Sequence, residues 1–326
     1  MELKLTVEAV TPIFIAGADQ RNIRNEGLRP PTLRGLMRWW FRAIMGGMVS
    51  IKNLRELEND IFGSVEQKSV IKVITATNSH PTNIEIPNEL RYLWFSMYMQ
   101  KRRNQRLLWY PKGSKFRVIL RSDDETALRI GSGCLWALIY LGGVGSRMRR
   151  GAGSLKVINS SDNAPYSFLF EGDSLNDFKK HIEENLEEIF KYFREYAGEK
   201  CSPQPFPNFS VLSRKHAKIS LINKIFNTFE EALVEISNKY QIFRKRKPLK
   251  YRYTFGLPIY PKFKERCASP LFIGVTDLNG KYIVRLVKFY TSIHPKYSSD
   301  LRFLRRDLDG LNAEVNEITV EIPRAI

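Results

Sequence analysis

Apolar and polar residues alternate in the first segment of the chain, and this alternation predicts a strand with one buried face over Glu2–Val10. Three further short apolar runs in the first half predict strands, which are VIKVITAT from Val70, FRVILR from Phe116 and SLKVI from Ser154. The first half of the chain therefore contains four predicted strands.

Apolar residues at helical spacing mark two segments between these strands. The first predicted helix begins near Thr32, after Pro31, and ends at Gly46–Gly47. Its predicted buried face consists of Leu33, Leu36, Met37, Trp40 and Ile44. The second predicted helix covers Ala127–Leu141, and the acidic residues just before it favour a helix start. The order β-α-β-β-α-β is typical of the ferredoxin-like fold.

The second half of the chain repeats this order. A helix of mixed charge over Leu175–Tyr196 is predicted to link the halves, and Asn279-Gly280 predicts a hairpin turn. The other predicted elements are strands at Phe209–Arg214, Ser269–Thr276, Lys281–Tyr290 and Glu317–Ile322 and helices at Ala217–Tyr240 and from Asp300. We therefore predict an α+β protein with two tandem ferredoxin-like βαββαβ domains, over residues 1–160 and 161–326, that carry inserted helices and hairpins.

The chain has a large excess of positive charge. It contains 52 Lys and Arg against 34 Asp and Glu, for a formal net charge of +18. This excess predicts a polyanionic partner, with nucleic acid as the first candidate and an anionic membrane surface as the second. The sequence shows no run of eighteen apolar residues, no signal peptide and no lipidation motif, so we expect a soluble cytoplasmic protein without a membrane partner.

The sequence offers little for a metal, a disulfide or a small-molecule substrate. Its three cysteines, Cys134, Cys201 and Cys267, are odd in number and far apart, which favours buried thiols. The four histidines are scattered, without an HExxH or CxxC pattern, so we expect neither a zinc site nor a cofactor. A Walker A phosphate-binding loop does not occur, which argues against a nucleotide hydrolase.

Arginines recur at every fourth position of the first predicted helix. Arg34, Arg38 and Arg42 form one stripe, and no acidic residue lies between Gly27 and Arg55. Like charges at this spacing repel each other, so the stripe predicts an external anion that neutralises it. The alternatives are a solvated basic face and pairing with acids of another element.

The segment Gly142–Gly153, GGVGSRMRRGAG, combines five glycines and three arginines with no acidic residue. Glycine lets backbone amides approach a phosphate and form anion-binding nests. Arginine adds a planar guanidinium that binds phosphate through paired hydrogen bonds. The residues expected to contact nucleic acid are Gly143, Gly145, Arg147, Arg149, Arg150 and Gly151. The alternative is an ordinary connection whose glycines only turn the chain.

Two further basic stretches contain many aromatic residues. One runs from Leu90 to Lys112, and the other, from Phe243 to Lys264, includes Lys245 and Arg246 as candidate contacts. Basic side chains beside exposed aromatic rings suit single-stranded nucleic acid, because bases stack on the rings while phosphates pair with the charges. The alternative is that the aromatic residues of the first stretch belong to the core; they are Trp94, Phe95, Trp109 and Tyr110.

Candidate catalytic residues are few. Asp19 lies beside Arg21 and Arg24 in the loop after the first strand, where it would act in phosphodiester cleavage or stabilise the loop through an Asx turn. His216 would protonate a leaving oxygen or have a structural role near a helix start. No pair of acids has the spacing that two-metal chemistry requires. We therefore predict no enzymatic activity and count Arg21 and Arg24 among the nucleic-acid contacts.

Four segments carry a resemblance to a known family. TPIFIAGAD, LRPPTLRGLMRWWFRA, DIFGS and GGVGSRMRRGAGSL resemble the RAMP superfamily of CRISPR-associated proteins. The second segment is similar in particular to the first-numbered subunit of the Cmr, or type III-B, effector complex. FGLPI and RCASPLFIGV in the second half extend the resemblance over nearly the whole chain.

The resemblance implies two RRM-related domains and a place at the end of the complex that holds the 3′ region of the guide RNA. It implies RNA contact through the glycine-arginine segment and the basic helix, with Arg34, Arg38, Trp39 and Arg42. The expected function is that of a non-catalytic subunit in antiviral defence, with guide RNA, target single-stranded RNA and other Cmr subunits as partners. The alternative is a metal-independent RAMP endoribonuclease that processes guide RNA precursors.

Overall fold

The computed structural model describes residues 1–15, 27–102, 108–202, 209–247, 255–256, 268–290, 305 and 308–325. These residues form two four-stranded antiparallel sheets with helices packed against them. The strands are β1 (Glu2–Ala9), β2 (Lys72–Ala76), β3 (Lys115–Arg121), β4 (Leu155–Ser160), β5 (Ala217–Ile222), β6 (Leu271–Leu278), β7 (Lys281–Phe289) and β8 (Glu317–Val320). The helices are α1 (Pro30–Met45), α2 (Ile51–Phe62), α3 (Phe95–Arg102), α4 (Glu125–Tyr140), α5 (Leu175–Ala197) and α6 (Phe229–Arg246).

The first sheet has the strand order β2-β3-β1-β4, in which β1 and β3 are central, as in a βαββαβ unit. Leu3, Leu5 and Val7 of β1 point into a core shared with α1 and α4. The opposite face of the sheet carries polar residues joined by ion pairs, such as Glu2 with Arg121 at 2.8 Å. The first sheet therefore has one buried and one polar face, as the alternation in β1 predicts.

The second sheet has the equivalent order β6-β7-β5-β8, but both of its faces are covered. Phe272 packs against the core of the first domain, while Ile273 packs against α6. Polar residues of β7 are consequently buried as well. Arg285 is 2% exposed, its Nη2 donates to the carbonyl oxygen of Gly142 at 3.1 Å, and burial lowers its pKa to about 9.

Side-chain caps fix where the helices begin. The carboxylate of Asp124 accepts a hydrogen bond from the backbone N–H of Ala127 at 2.9 Å, which confirms the predicted acidic start of α4. Ser174 and Asp177 form a capping box at the start of α5, the predicted linking helix. The hydroxyl of Thr228 caps α6 by accepting a hydrogen bond from the backbone N–H of Glu231 at 3.1 Å. The equivalent strand orders of the two sheets confirm two tandem ferredoxin-like domains; the boundary between residues 160 and 161 stays a prediction.

The structure corrects the start of the second unit. Phe209–Arg214 is not a strand, and β5 is formed instead by the first six residues of the predicted helix at Ala217–Tyr240. Ile219 and Leu221 enter the same core at a spacing of two, which is the strand period. The helix α6 begins only after Thr228. The predicted helix from Asp300 lies mostly outside the described residues.

Two helices were not predicted from the sequence. α2 follows α1 directly and buries Leu54, Leu57 and Ile61 at helical spacing. α3 lies within the basic aromatic stretch from Leu90 to Lys112. Among the described helices, none is both long and apolar enough to cross a membrane.

Candidate nucleic-acid interface

A cleft of about 1320 Å³ lies between the two domains. Its walls come from the loop after β1, the start of α1, the segment before α3, the turn after α4 and the side of α6. Glu89 is the one acidic residue among the described residues that line it. The lining arginines are Arg29, Arg91, Arg147, Arg149, Arg150 and Arg244. Such a surplus of one sign of charge in a cavity attracts a polyanion.

The glycine-arginine segment forms one wall through a 3-10 turn at Met148–Arg150. Gly145 and Gly151 on either side have φ angles of +80° and +83°, a region that favours glycine. A Cβ on Gly145 would lie 2.7 Å from the carbonyl oxygen of Phe14. A Cβ on Gly151 would lie 2.3 Å from Cδ2 of Leu233, so both glycines allow a close approach that other residues would block.

The backbone of the segment contacts the loop after β1 and also folds back on itself. The backbone N–H of Ser146 donates to the carbonyl oxygen of Phe14 at 2.7 Å. A Cβ on Gly143 would lie 3.0 Å from the carbonyl oxygen of Gly153, so the two ends of the segment run close together. The predicted alternative, in which the glycines turn the chain, is therefore part of their role.

Arg150 connects the turn to the second domain. Its Nη1 donates to the carbonyl oxygen of Leu271 at 3.2 Å, and its Nη2 donates to the carbonyl oxygen of Phe255 at 2.9 Å and to the hydroxyl of Tyr240 at 3.1 Å. All of these acceptors are neutral. The hydrogen bonds hold the domains together but leave the charge of Arg150 uncompensated within the described part of the chain.

Arg149 lies at the same domain junction. Its guanidinium donates to the carbonyl oxygen of Ser269 and lies over the ring of Phe272, 4.4 Å from the ring centroid. The ring of Trp39 is 5.4 Å away on the first domain. Arg149 therefore stacks between aromatic rings of both domains.

Arg147 lies on the cleft wall with a left-handed backbone, at φ +63°. Its Nε donates to the hydroxyl of Ser96, at the start of α3, at 2.8 Å. Burial, and then the charge of Arg150, lowers the pKa of Arg147. Two neighbouring positive charges without a carboxylate partner among the described residues make this turn a binding element for an anion.

The arginine stripe of α1 has a different environment. Glu58 of α2 is buried and accepts hydrogen bonds from Nε of Arg38 at 2.5 Å and from Nε and Nη2 of Arg42 at 2.5 and 2.7 Å. These bonds to Glu58 raise the pKa of Arg42. The alternative of pairing with an acid of another element is therefore realised for these two arginines, although the single charge of Glu58 offsets only one of their two charges. RNA contact by Arg38 and Arg42 stays a prediction. Arg34, one turn earlier, is exposed and has no described partner.

Comparison with known proteins gives the family. Residues 6–156 match the model of the RAMP superfamily. The CRISPR system Cmr subunit Cmr1-1 of Pyrococcus furiosus is 33% identical over 288 residues, which cover 83% of this chain and 83% of that protein. This chain belongs to the Cmr1 family of the RAMP superfamily. Subunit Cmr1-2 of the same organism is 38% identical over 176 residues, or 46% of this chain and 92% of that protein.

Solved structures of Cmr proteins share the fold. The crystal structure of Cmr1 from Pyrococcus furiosus, in its apo form, has a TM-score of 0.75 and 26% identity, covering 98% of both chains. A chain in the cryo-EM structure of type III-B Cmr-beta bound to cognate target RNA has a TM-score of 0.61 and 15% identity, covering 95% of this chain and 99% of that one. The tandem fold is therefore the fold of the Cmr1 family.

Trp39 lies at the domain junction of this Cmr1-family chain. Its ring centroid is 5.3 Å from that of Phe272 and 5.6 Å from that of Phe289, both in the second domain. The ring of Trp40 packs against it from the first domain, at 4.9 Å. Trp39 thus packs at the domain junction, a role that the resemblance to the family did not imply. RNA contact by Trp39 stays a prediction.

Four predicted nucleic-acid contacts remain. Two of them are described but do not line the cleft of the Cmr1-family chain, and two lie outside the described residues. Lys245 and Arg246 are exposed at the end of α6, where Arg246 pairs with Glu314. Arg21 and Arg24 lie outside the described residues, as does Asp19. Ile15, the last described residue before them, lines the cleft.

The candidate catalytic histidine and the cysteines have structural surroundings. His216 is buried outside the cleft, and burial, followed by the charges of Lys215 and Arg305, lowers its pKa. Burial raises the pKa of the Cys134 thiol, Cys201 is half-buried, and Cys267 lies outside the described residues. Among the described residues, no three His, Cys, Asp or Glu side chains form a group that could hold a metal ion.

Sequence reasoning missed several residues of the cleft. Arg91 and Arg244 line the cleft and lie within the two basic aromatic stretches. The sequence therefore indicated their segments but not these residues. Asn238 and Gln241 of α6 add amide groups to the wall and carry no signal in the sequence. Glu58 had no signal either, because α2 was not predicted.

Proposed function

We propose that this Cmr1-family protein is a non-catalytic, RNA-binding subunit of a type III-B CRISPR effector complex. Single-stranded RNA, as guide or target near the 3′ end of the guide, lies in the cleft between the two domains. Other Cmr subunits are its protein partners, in antiviral defence inside the cell. The observation that carries the proposal is the cleft itself, where Arg147 and Arg150 on one wall have no carboxylate partner among the described residues and Glu89 is the one acid of the described lining.

The sheets support the cleft as the site. RRM-type binding uses aromatic residues on an open sheet face. Both faces of the second sheet are covered, and the described open face of the first carries ion pairs such as Glu8 with Lys156. Two structures of Cmr-beta with the same fold contain cognate target RNA, which is in keeping with an RNA partner.

The proposal is tested by titrating single-stranded RNA at several salt concentrations. Arg91 is exposed on the cleft wall, and Arg147 is half-buried in the same lining. If each binds one phosphate, R91A combined with R147A lowers the slope of log affinity against log salt by about 1.4, since each contact to a single strand contributes about 0.7.

The matched control removes the same charge elsewhere. Arg55 and Arg117 are exposed and lie outside the cleft lining, so R55A combined with R117A should leave the slope nearly unchanged. Equal slopes for the two double variants would contradict the proposal. Discrete cleavage of labelled repeat RNA in EDTA would favour an endoribonuclease instead.

A further inference from the structure

Phe95 differs from the other aromatic residues of its basic stretch. Trp94, Trp109 and Tyr110 are buried, with exposed fractions of 1%, 3% and 1%. Phe95 is 51% exposed, and it lines the cleft. No aromatic ring of the described chain packs against it. A large apolar ring is thus presented to solvent inside an electropositive cavity.

The neighbours of Phe95 hold it in place beside the arginine turn. Trp94 precedes it and donates from Nε1 to the carbonyl oxygen of Arg150 at 3.0 Å, while its ring packs edge to face on Phe14 at 5.2 Å. Ser96 follows it and accepts the hydrogen bond from Nε of Arg147 at 2.8 Å. The ring therefore projects from a backbone that is fixed on both sides to the turn that carries Arg147 and Arg150.

These contacts place an exposed ring next to an anion-binding group. Single-stranded nucleic acid uses both features at once, because a base stacks on the ring while the adjoining phosphate pairs with the charge. A free phosphate or a duplex would use the arginines but not the ring. The amide groups of Asn238 and Gln241 lie on the α6 side of the same cleft.

We propose that Phe95 is a stacking platform for one base of single-stranded RNA, with the neighbouring phosphate at Arg147. This inference rests on the proposed function, because it requires RNA in the cleft. Stacking accepts any base, since every base has a π-face, so Phe95 contributes affinity without sequence preference.

The test compares two ligands of about ten nucleotides, an oligoadenylate and an abasic sugar-phosphate oligomer of the same length. F95L keeps an apolar side chain but removes the ring. It should weaken binding of the oligoadenylate about 5- to 150-fold, the range expected from loss of one stacked base, and leave binding of the abasic oligomer unchanged. F95W should retain tight binding. R147A should weaken binding of both ligands.

Ile242 provides the matched control, because it is 46% exposed on α6 but does not line the cleft. I242A should leave both affinities unchanged. Failure of the wild-type chain to bind either ligand would overturn the proposed function. Tight wild-type binding that F95L does not alter, or alters equally for both ligands, would overturn only the role of Phe95. A lower melting temperature for F95L than for I242A would assign the ring to packing and overturn its role as well.

Discussion

From the sequence, the arginines of α1 and those of the turn after α4 are both predicted to bind an external anion. In the structure their surroundings differ. In α1, the buried carboxylate of Glu58 accepts hydrogen bonds from both Arg38 and Arg42. In the turn, Arg147 and Arg150 donate to neutral hydroxyl and carbonyl oxygens. Both sets of guanidinium groups donate hydrogen bonds, yet within the described ranges only the first set pairs with a carboxylate.

The difference separates hydrogen bonding from charge compensation. A carbonyl oxygen satisfies an N–H donor without cancelling the charge of the guanidinium, whereas a carboxylate does both. The turn therefore keeps its positive potential at the cleft, while the stripe has become part of the packing between α1 and α2. The spacing of arginines in a sequence predicts where charge is, and the residue opposite decides whether the charge is available to a ligand.

We expect the largest effect from E58Q, which removes the charge that Arg38 and Arg42 share. The free energy of unfolding should fall by about 3 kcal/mol, at the low end for a broken buried pair because the two arginine side chains are 29% and 51% exposed. Urea denaturation measures the change. E56Q is the control, because the Glu56 carboxylate is 46% exposed, and it should cost less than about 0.5 kcal/mol. An equal loss in the free energy of unfolding for E58Q and E56Q would show that the carboxylate of Glu58 does not stabilise the packing of α1 on α2.

R150A should have the next largest effect. It leaves the carbonyl oxygens of Phe255 and Leu271 without this donor at the domain junction, and we expect a loss of about 2 kcal/mol in the free energy of unfolding. Denaturation curves compared with those of R55A, an exposed arginine of α2, provide the measurement. If R150A were as stable as R55A, the turn would not hold the domains together.

A pair of glycine substitutions sharpens the contrast between turn and helix. Gly145 has φ +80° and no room for a Cβ, so G145A should destabilise the protein by about 1 to 2 kcal/mol. A Cβ on Gly35 of α1 would meet no atom within 4 Å, so G35A should stabilise the helix by up to about 1 kcal/mol. Melting temperatures that shift in opposite directions are the expected result, and shifts in the same direction would refute it.

R34A should have the smallest effect. Arg34 is exposed, has no described partner and does not line the cleft, so its loss should change stability by less than about 0.5 kcal/mol. The salt dependence of RNA binding should also change by less than the value of about 0.7 expected for one phosphate contact. A change in slope as large as that of one phosphate contact would show that RNA extends from the cleft onto α1.

The fold was largely predictable because its strands and helices have strong local patterns. Seven of the eight strands overlap predicted ones, and the caps of α4 and the linking helix α5 match the expected starts. The exception is β5, where Lys218 and Ser220 alternate with apolar residues over too few positions to be distinguished from the helix that follows.

The sequence predicted which segments contribute to the candidate site, but not which of their residues are exposed in it. The glycine-arginine turn and both basic aromatic stretches contribute to the cleft, where their positive charge meets. Which aromatic ring is exposed was not predictable, because Trp94 and Phe95 are neighbours in sequence and point to opposite environments. Trp94 is buried because it packs on Phe14 and donates to the carbonyl oxygen of Arg150, and both residues are distant from it in sequence.

The sequence by itself determined the order of the two βαββαβ units, the excess of positive charge and membership of a family, because each is carried by local periodicity, composition or motif. Only the tertiary structure decided that Glu58 pairs with the α1 arginines and that Arg150 bridges the domains. It also decided that Arg285 of β7 is buried. Each depends on a contact between residues distant along the chain, and such contacts exist only once the helices and sheets have packed against one another.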